Sequence, residues 1–227
     1  MRLWFLLHGD IRFQYKYGFY FLYLIFSVFY ISLIFAMPEA WREKATILMI
    51  FSDPAAMGLF FMGAIVLFEK SERVLNSIAV SPIRSYEYIL SKLISIGVIS
   101  VIVGFAIGSF SSAVNISIYF IMGIFLCSCL FSAVGLMVAA KSISLNGFII
   151  STIPAQLIIN IPAVAWLFGW RPGWLLIHPG VSMMELCENG RRVLLAFIIL
   201  VFWDLLAVLM AHRTVKGMFR EIGGVKL

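Results

Sequence analysis

FEKSERVLNSIAVSPIRSYEYILSK, residues 68–92, decides how this chain is read. It is the longest charge-bearing interruption in an otherwise apolar chain. One apolar run ends at Phe68 and the next begins near Leu93, and between them lie Glu69, Lys70, Glu72, Arg73, Arg84, Glu87 and Lys92. Val74, Leu75, Ile78 and Ala79 recur at i, i+1, i+4 and i+5, with Glu72, Arg73, Asn76 and Ser77 in the remaining positions, which predicts a short amphipathic helix. Ser81-Pro82 then supplies a helix cap followed by proline at the first helical position, so a second helix is expected to start there. Helix, corner and helix make a rigid lever, and exchange with soluble partners is expected at this point; the plain alternative is a solvated connection.

Working outward, the 227 residues are 63% hydrophobic and only 12% charged, with a mean hydropathy of +1.04. That is about half the charge of a globular domain, and it predicts an integral, all-α membrane protein. At roughly 20 apolar residues per crossing the whole chain, 1–227, is a single transmembrane domain with no room for a soluble one. Six spans are expected, at about 19–37, 47–68, 93–110, 116–140, 148–168 and 193–211. Residues 1–18 place Leu3, Trp4, Leu7, Ile11 and Tyr15 on one face and His8, Arg12 and Lys16 on another, as in a helix lying in the membrane interface. Leu3 to Leu7 is too short for the core of a cleavable leader.

Within the spans, Gly97, Gly104 and Gly108 offer flat surfaces for close helix packing. Pro154 and Pro162 are expected to kink or break the fifth span and to keep it inside the bundle. Residues 169–192 hold no apolar run long enough to span and read as a short segment dipping into the interface beside Trp166, Trp170 and Trp174.

The net charge of +6 is accounted for by topology rather than by nucleic acid. Arg2, Arg12, Lys16, Lys70, Arg73, Arg84, Lys92, Lys141, Arg213, Lys216, Arg220 and Lys226 fall on one side, and Arg42, Lys44, Arg171, Arg191 and Arg192 on the other. The positive-inside rule makes the first side cytoplasmic, with both termini and the residue 68–92 corner. Cys127, Cys129 and Cys187 form no disulfide or metal pattern.

The run Glu-Lys-x-x-Arg, a short amphipathic helix, Ser-Pro-Ile and Tyr-Glu-Tyr-Ile-Leu-x-Lys resembles the segment between the second and third helices of ABC-2 type exporter permeases, closest to the fluoroquinolone-export-permease-like branch. In that family the order is an acidic-basic cluster, Gly-Thr-Leu-Glu, a Leu pair, Thr-Pro, and a Tyr/Leu run closing on Gly-Lys. Here Leu75 matches the Leu, Ile78 and Ala79 the pair, Ser81-Pro82 the Thr-Pro and Lys92 the closing Lys; Arg73-Val74, Asn76 and Ser91 depart from it. The resemblance implies a coupling helix that docks on a separate ABC ATPase subunit. Glu69, Lys70, Glu72, Arg73, Leu75, Asn76, Ile78, Ala79, Ser81 and Pro82 would carry the coupling. It further implies two ATPase copies, which bind ATP and Mg, beside a second permease chain, identical or related, all set in membrane lipid. This chain would bind no cofactor or metal and move a drug-like or lipid-like substrate across the cytoplasmic membrane.

No G-x-x-x-x-G-K-[ST] phosphate loop occurs in the sequence, so ATP hydrolysis would have to come from a partner. His8, His178 and His212 all fall outside the expected spans, which leaves neither a metalloprotease pair nor a serine-protease partner within the membrane. Asp204, midway along the sixth span, is costly in a bilayer and reads as either a contact for cationic substrate or an interhelical hydrogen bond. Asp53 reads as a cap or, less simply, a binding group. Aromatic residues of the first span and Met49, Met57 and Met62 of the second suit an apolar or amphipathic substrate, although lipid contact explains them equally. The alternative function is a six-span gradient-driven carrier or channel without an ATPase.

Overall fold

The structure, a computed structural model, describes residues 2–52, 57–111 and 114–222. These are all-helical, with no strand among the described residues. The order is α1 (Arg2–Lys16), α2 (Phe19–Ala36), α3 (Glu39–Ser52), α4 (Gly58–Ser71), α5 (Val74–Ala79), α6 (Ser85–Phe110), α7 (Ile118–Lys141), α8 (Leu145–Leu167), α9 (Pro179–Cys187) and α10 (Val193–Ile222), with a 3-10 turn at Gly173–Ile177. Five of them, α2, α6, α7, α8 and α10, are long and apolar enough to cross a membrane.

The apolar run 47–68 is not one helix. It is divided between α3 and α4, of 14 residues each, or about 21 Å apiece. Asp53, read from sequence as a cap, lies outside the described residues. Thr46 of α3 donates to Ser111 at the end of α6 (2.8 Å), while α4 packs along α7.

Helix α7 is the axis of the bundle, with α4, α6, α9 and α10 packed around it. Small residues permit the close approach: a Cβ on Gly135 would run into the Leu59 carbonyl of α4. Gly97, Gly104 and Gly108 of α6 face Phe125, Ile124 and Phe120 of α7, as their spacing predicts. Met49 and Met62 are buried and fill the core around α4, whereas Phe21, Phe29 and Phe35 of α2 point outward.

Helix α8 corrects an expectation. It runs unbroken through Pro154 and Pro162 and stands at the outside of the bundle, with 17% of its apolar window buried. One backbone group freed by proline finds a partner: His178 hydrogen-bonds the Ile158 carbonyl, four residues before Pro162. The segment 169–192 forms the 3-10 turn and then α9, every residue of which is buried. Glu185 accepts from the Arg192 backbone N–H (3.0 Å) at the start of α10. Asn189, at φ 50°, accepts from Ser117 Oγ (2.7 Å) and donates to the Asn115 carbonyl (3.1 Å). Arg171 pairs with Glu188 at 2.8 Å; burial pushes the Glu188 carboxyl above its ordinary range and Arg171 opposes that.

Helix α10 continues past Ala211 to Ile222. Ala211, Val215 and Met218 extend its buried seam, so residues read from sequence as a basic tail form a helical extension instead.

Candidate functional site

The corner is built where α4, α5 and α6 meet α1, α7 and α10. Glu69 and Lys70 adjoin in sequence but leave α4 in different directions. Glu69, 5% exposed, accepts from Tyr88 Oη and from Lys92 Nζ, both at 2.6 Å. Lys92 also reaches Asp10 Oδ1 of α1 at 2.9 Å and lies over the Tyr88 ring, 4.9 Å from its centroid. Beside them Gln14 donates to Ser95 Oγ (2.9 Å). Lys70 Nζ instead caps α7, donating to the carbonyls of Ala139, Ala140 and Ser142 at 2.8, 2.8 and 2.9 Å. These carbonyls lie at the C-terminal end of α7, where a cation is favoured, and the Ala139 oxygen also accepts from the Ser142 backbone N–H (3.2 Å).

Beyond α4 the chain reverses. Glu72 accepts from Tyr17 Oη (3.1 Å), a bond that pushes the Tyr17 hydroxyl above its usual range. Arg73 adopts φ 57°, in the left-handed region, and begins α5. Leu75 is fully buried against the extended α10, in a pocket edge shared with Lys70 and Met218. Asn76 is exposed; Ile78 and Ala79 are half-buried. Val80 is 82% exposed at the tip.

Ser81 does not cap a helix starting at Pro82. Its Oγ donates to the Ile78 carbonyl (2.7 Å) and so closes α5. Helix α6 begins at Ser85, with Glu87 accepting from the Arg84 backbone N–H (2.8 Å). The Ser81 oxygen also accepts from the Ile83 backbone N–H (3.4 Å), which holds the bend rather than a helix start, and the carboxylate three residues after Arg84 caps α6. Pro82 is exposed in the bend. The corner is further fixed to α10 by Tyr86 stacked on His212, centroids 3.8 Å apart, and by Tyr88 edge-on to Phe219 at 5.3 Å.

The predicted residues therefore divide. Glu69, Lys70, Leu75 and Ser81 are internal fastenings; Arg73, Asn76 and Pro82 stand outward around Val80. Asp10, Gln14, Tyr17 and Tyr88 are the residues sequence reasoning missed, and a signal for three of them exists. Asp10, Gln14 and Tyr17 recur at i, i+4 and i+7 on the face of α1 that also carries Leu3, Leu6 and Leu7, and this face packs along α6. Trp4, Phe5, Ile11 and Tyr15 face outward instead.

Asp204 is 9% exposed in the α10 seam against α7, and neither carboxylate oxygen has a hydrogen-bond partner among the described residues. Asp53 lies outside the described residues.

Apolar helices of crossing length, packed about α7 and fastened at one end by a buried charge cluster, make this a multi-pass membrane protein. The chain belongs to the Fluoroquinolones export permease protein family, a family of ABC-2 type permeases, whose sequence model matches residues 1–218. It is similar to two fluoroquinolones export permease proteins of Mycobacterium tuberculosis, from strains CDC 1551 / Oshkosh and ATCC 25618 / H37Rv. Each is 26% identical over 201 residues, covering 74% of this chain and 85% of the relative.

Proposed function

We propose that this chain is the membrane subunit of an ATP-binding-cassette exporter, moving a drug-like or lipid-like substrate across the cytoplasmic membrane. The chain is non-catalytic; a separate ATPase binds ATP and Mg, and two permease chains assemble with two ATPase chains. Six crossings follow if α3 and α4 together make the second. Both termini and the corner then face the cytoplasm, on the side that collects most of the 17 Lys and Arg residues. The relatives' names make fluoroquinolones the first drug class to test.

The observation that carries this reading is the division within the corner. Its inner residues tie it to α1, α6, α7 and α10, while Val80 projects at 82% exposure. A projection held so firmly transmits a push into the bundle, as a coupling element must.

The test is to purify the tagged protein from its native host in mild detergent and identify what accompanies it. A Walker-motif ATPase is expected, and Val80→Asp is expected to lower its recovery about tenfold while membrane insertion stays intact. Leu75→Asp is unsuitable, because Leu75 is internal. If no ATPase accompanies the chain under conditions that preserve known complexes, the gradient-driven carrier replaces this reading.

A further inference from the structure

Three cavities on one side of the bundle share walls. The first, of about 660 Å³, lies at the corner end, where Lys70, Lys141 and Arg213 supply cations, Glu221 an acid, and Ser142 and Thr214 hydroxyls. The second, about 570 Å³, shares Lys141, Ser142 and Thr214 with the first and reaches Met137 and Met210. The third, about 470 Å³, begins at the same two methionines and continues between α7, α8 and α10 past Val134, Ile158 and Ala207. His178 and Trp203 close its far end, where Trp203 Nε1 donates to the Ile177 carbonyl at 2.8 Å. End to end these cavities make a trough with a basic mouth and an apolar floor.

Two features define the occupant. Charge is the first. Lys70 is committed to the α7 carbonyls, but Lys141 and Arg213 make no ion pair among the described residues. Length is the second. From Arg213 to Trp203 is ten residues of α10, about 15 Å, or half of a hydrocarbon core of roughly 30 Å. The trough thus has the depth of one leaflet, with its cations at the end where headgroups lie. Its outer walls, α8 and α10, also present most of their length outward. A soluble anion would use the mouth and leave the floor empty, and a neutral lipid would leave both cations unanswered.

We propose that this trough binds an anionic phospholipid of the leaflet on the corner side, with the phosphate at Lys141 and Arg213 and one acyl chain laid along Met137, Val134 and Ala207. The site is independent of any ATPase partnership, since it needs only a single chain in a bilayer.

Native mass spectrometry of the full chain, released from bilayers of phosphatidylglycerol and phosphatidylcholine with identical acyl chains, tests this. Wild type is expected to retain phosphatidylglycerol in preference. The K141Q/R213Q double variant, changed only at exposed positions, is expected to lose about 25-fold in that retention, roughly fivefold for each cation removed. Ala207→Trp, which fills the floor, is expected to lower retention of both lipids, and sn-glycerol 3-phosphate to displace neither. Equal retention of the two lipids by wild type would overturn the proposal, as would a double variant that melts like wild type and still holds phosphatidylglycerol. Displacement by glycerol phosphate would also overturn it, reducing the site to a pocket for small anions.

Discussion

Glu69 and Asp204 are acids buried in helix seams, and their surroundings treat them oppositely. At the α1–α4–α6 joint, Glu69 has one oxygen on Lys92 and the other on Tyr88, each at 2.6 Å. In the α7–α10 seam both oxygens of Asp204 are without a donor among the described residues. The joint itself is not fully satisfied, since Asp10 Oδ2 and Gln14 Oε1 also have no partner among the described residues. Even so, the difference is large: a buried polar group without a partner costs about 1–3 kcal/mol, and more when it is charged. The joint uses burial to hold charges in one geometry, so that α1 cannot leave α6 without exposing an ion pair. The seam keeps an acid for which the described residues supply no donor.

The comparison breaks most visibly at Lys92. Lys92→Met keeps the packing of the stem but strands Glu69 and Asp10, and loss of one partner from a buried ion pair costs about 3–5 kcal/mol. The expected result is a much lower unfolding midpoint in detergent and early proteolysis within α1, whose Asp10 has lost its anchor. The K92M/E69M double variant is expected to recover part of the loss, because no buried Glu69 carboxylate remains. If the single variant unfolds like wild type, the joint is not closed by charge.

At Asp204 the sign should reverse. Asp204→Leu keeps the branch at Cγ and removes two unpartnered oxygens, so a gain of about 1–3 kcal/mol is expected in the same unfolding measurement. A loss in the monomer would show that the seam itself holds a donor for Asp204, whereas a loss confined to the purified complex would show a donor that only the assembled transporter supplies. Export assays on the variant add a second readout: a stabilised protein that no longer transports would mark Asp204 as a group kept for function at a cost in stability.

Much of this arrangement is legible in the sequence, for physical reasons. Hydropathy finds α2, α6, α7, α8 and α10, since burial in lipid demands long apolar runs. Glycine spacing marks a close-packing face on α6, and the structure supplies α7 as its partner. What hides is direction. Helix α1 has apolar residues on two faces, Trp4, Phe5, Ile11 and Tyr15 exposed and Leu3, Leu6 and Leu7 half-buried on the side of Asp10 and Gln14, so periodicity alone cannot say which face meets protein. The basic residues after Ala211 hide a seam of Val215 and Met218 that prolongs α10 and takes Leu75 from the apparent docking face into the core. Ser81-Pro82 carries the right residues for a cap, but the Ser81 oxygen accepts from Ile83 within the bend and α6 starts only at Ser85, capped by Glu87. Glu69 and Lys70 read as exposed charge because linear sequence does not reveal that Lys92 and the α7 terminus lie within reach.

The smallest expected effect concerns the hinge between the two fastenings. Arg73 joins α4, held by Glu69 and Lys70, to α5, held by Leu75, and it does so at φ 57°. A left-handed residue with a Cβ costs about 1–2 kcal/mol, and glycine escapes that cost but has more backbone freedom to lose on folding. The ABC-2 pattern carries Gly at this position. Arg73→Gly is therefore expected to raise stability by about 1 kcal/mol at most, and Arg73→Val, β-branched at the same φ, to lower it by a similar or larger amount. Unfolding midpoints of the two variants measured against Arg73→Ala separate backbone strain from loss of the guanidinium. If Gly and Val shift stability equally, the turn relaxes without the left-handed residue, and the corner is a looser joint than its buried contacts imply.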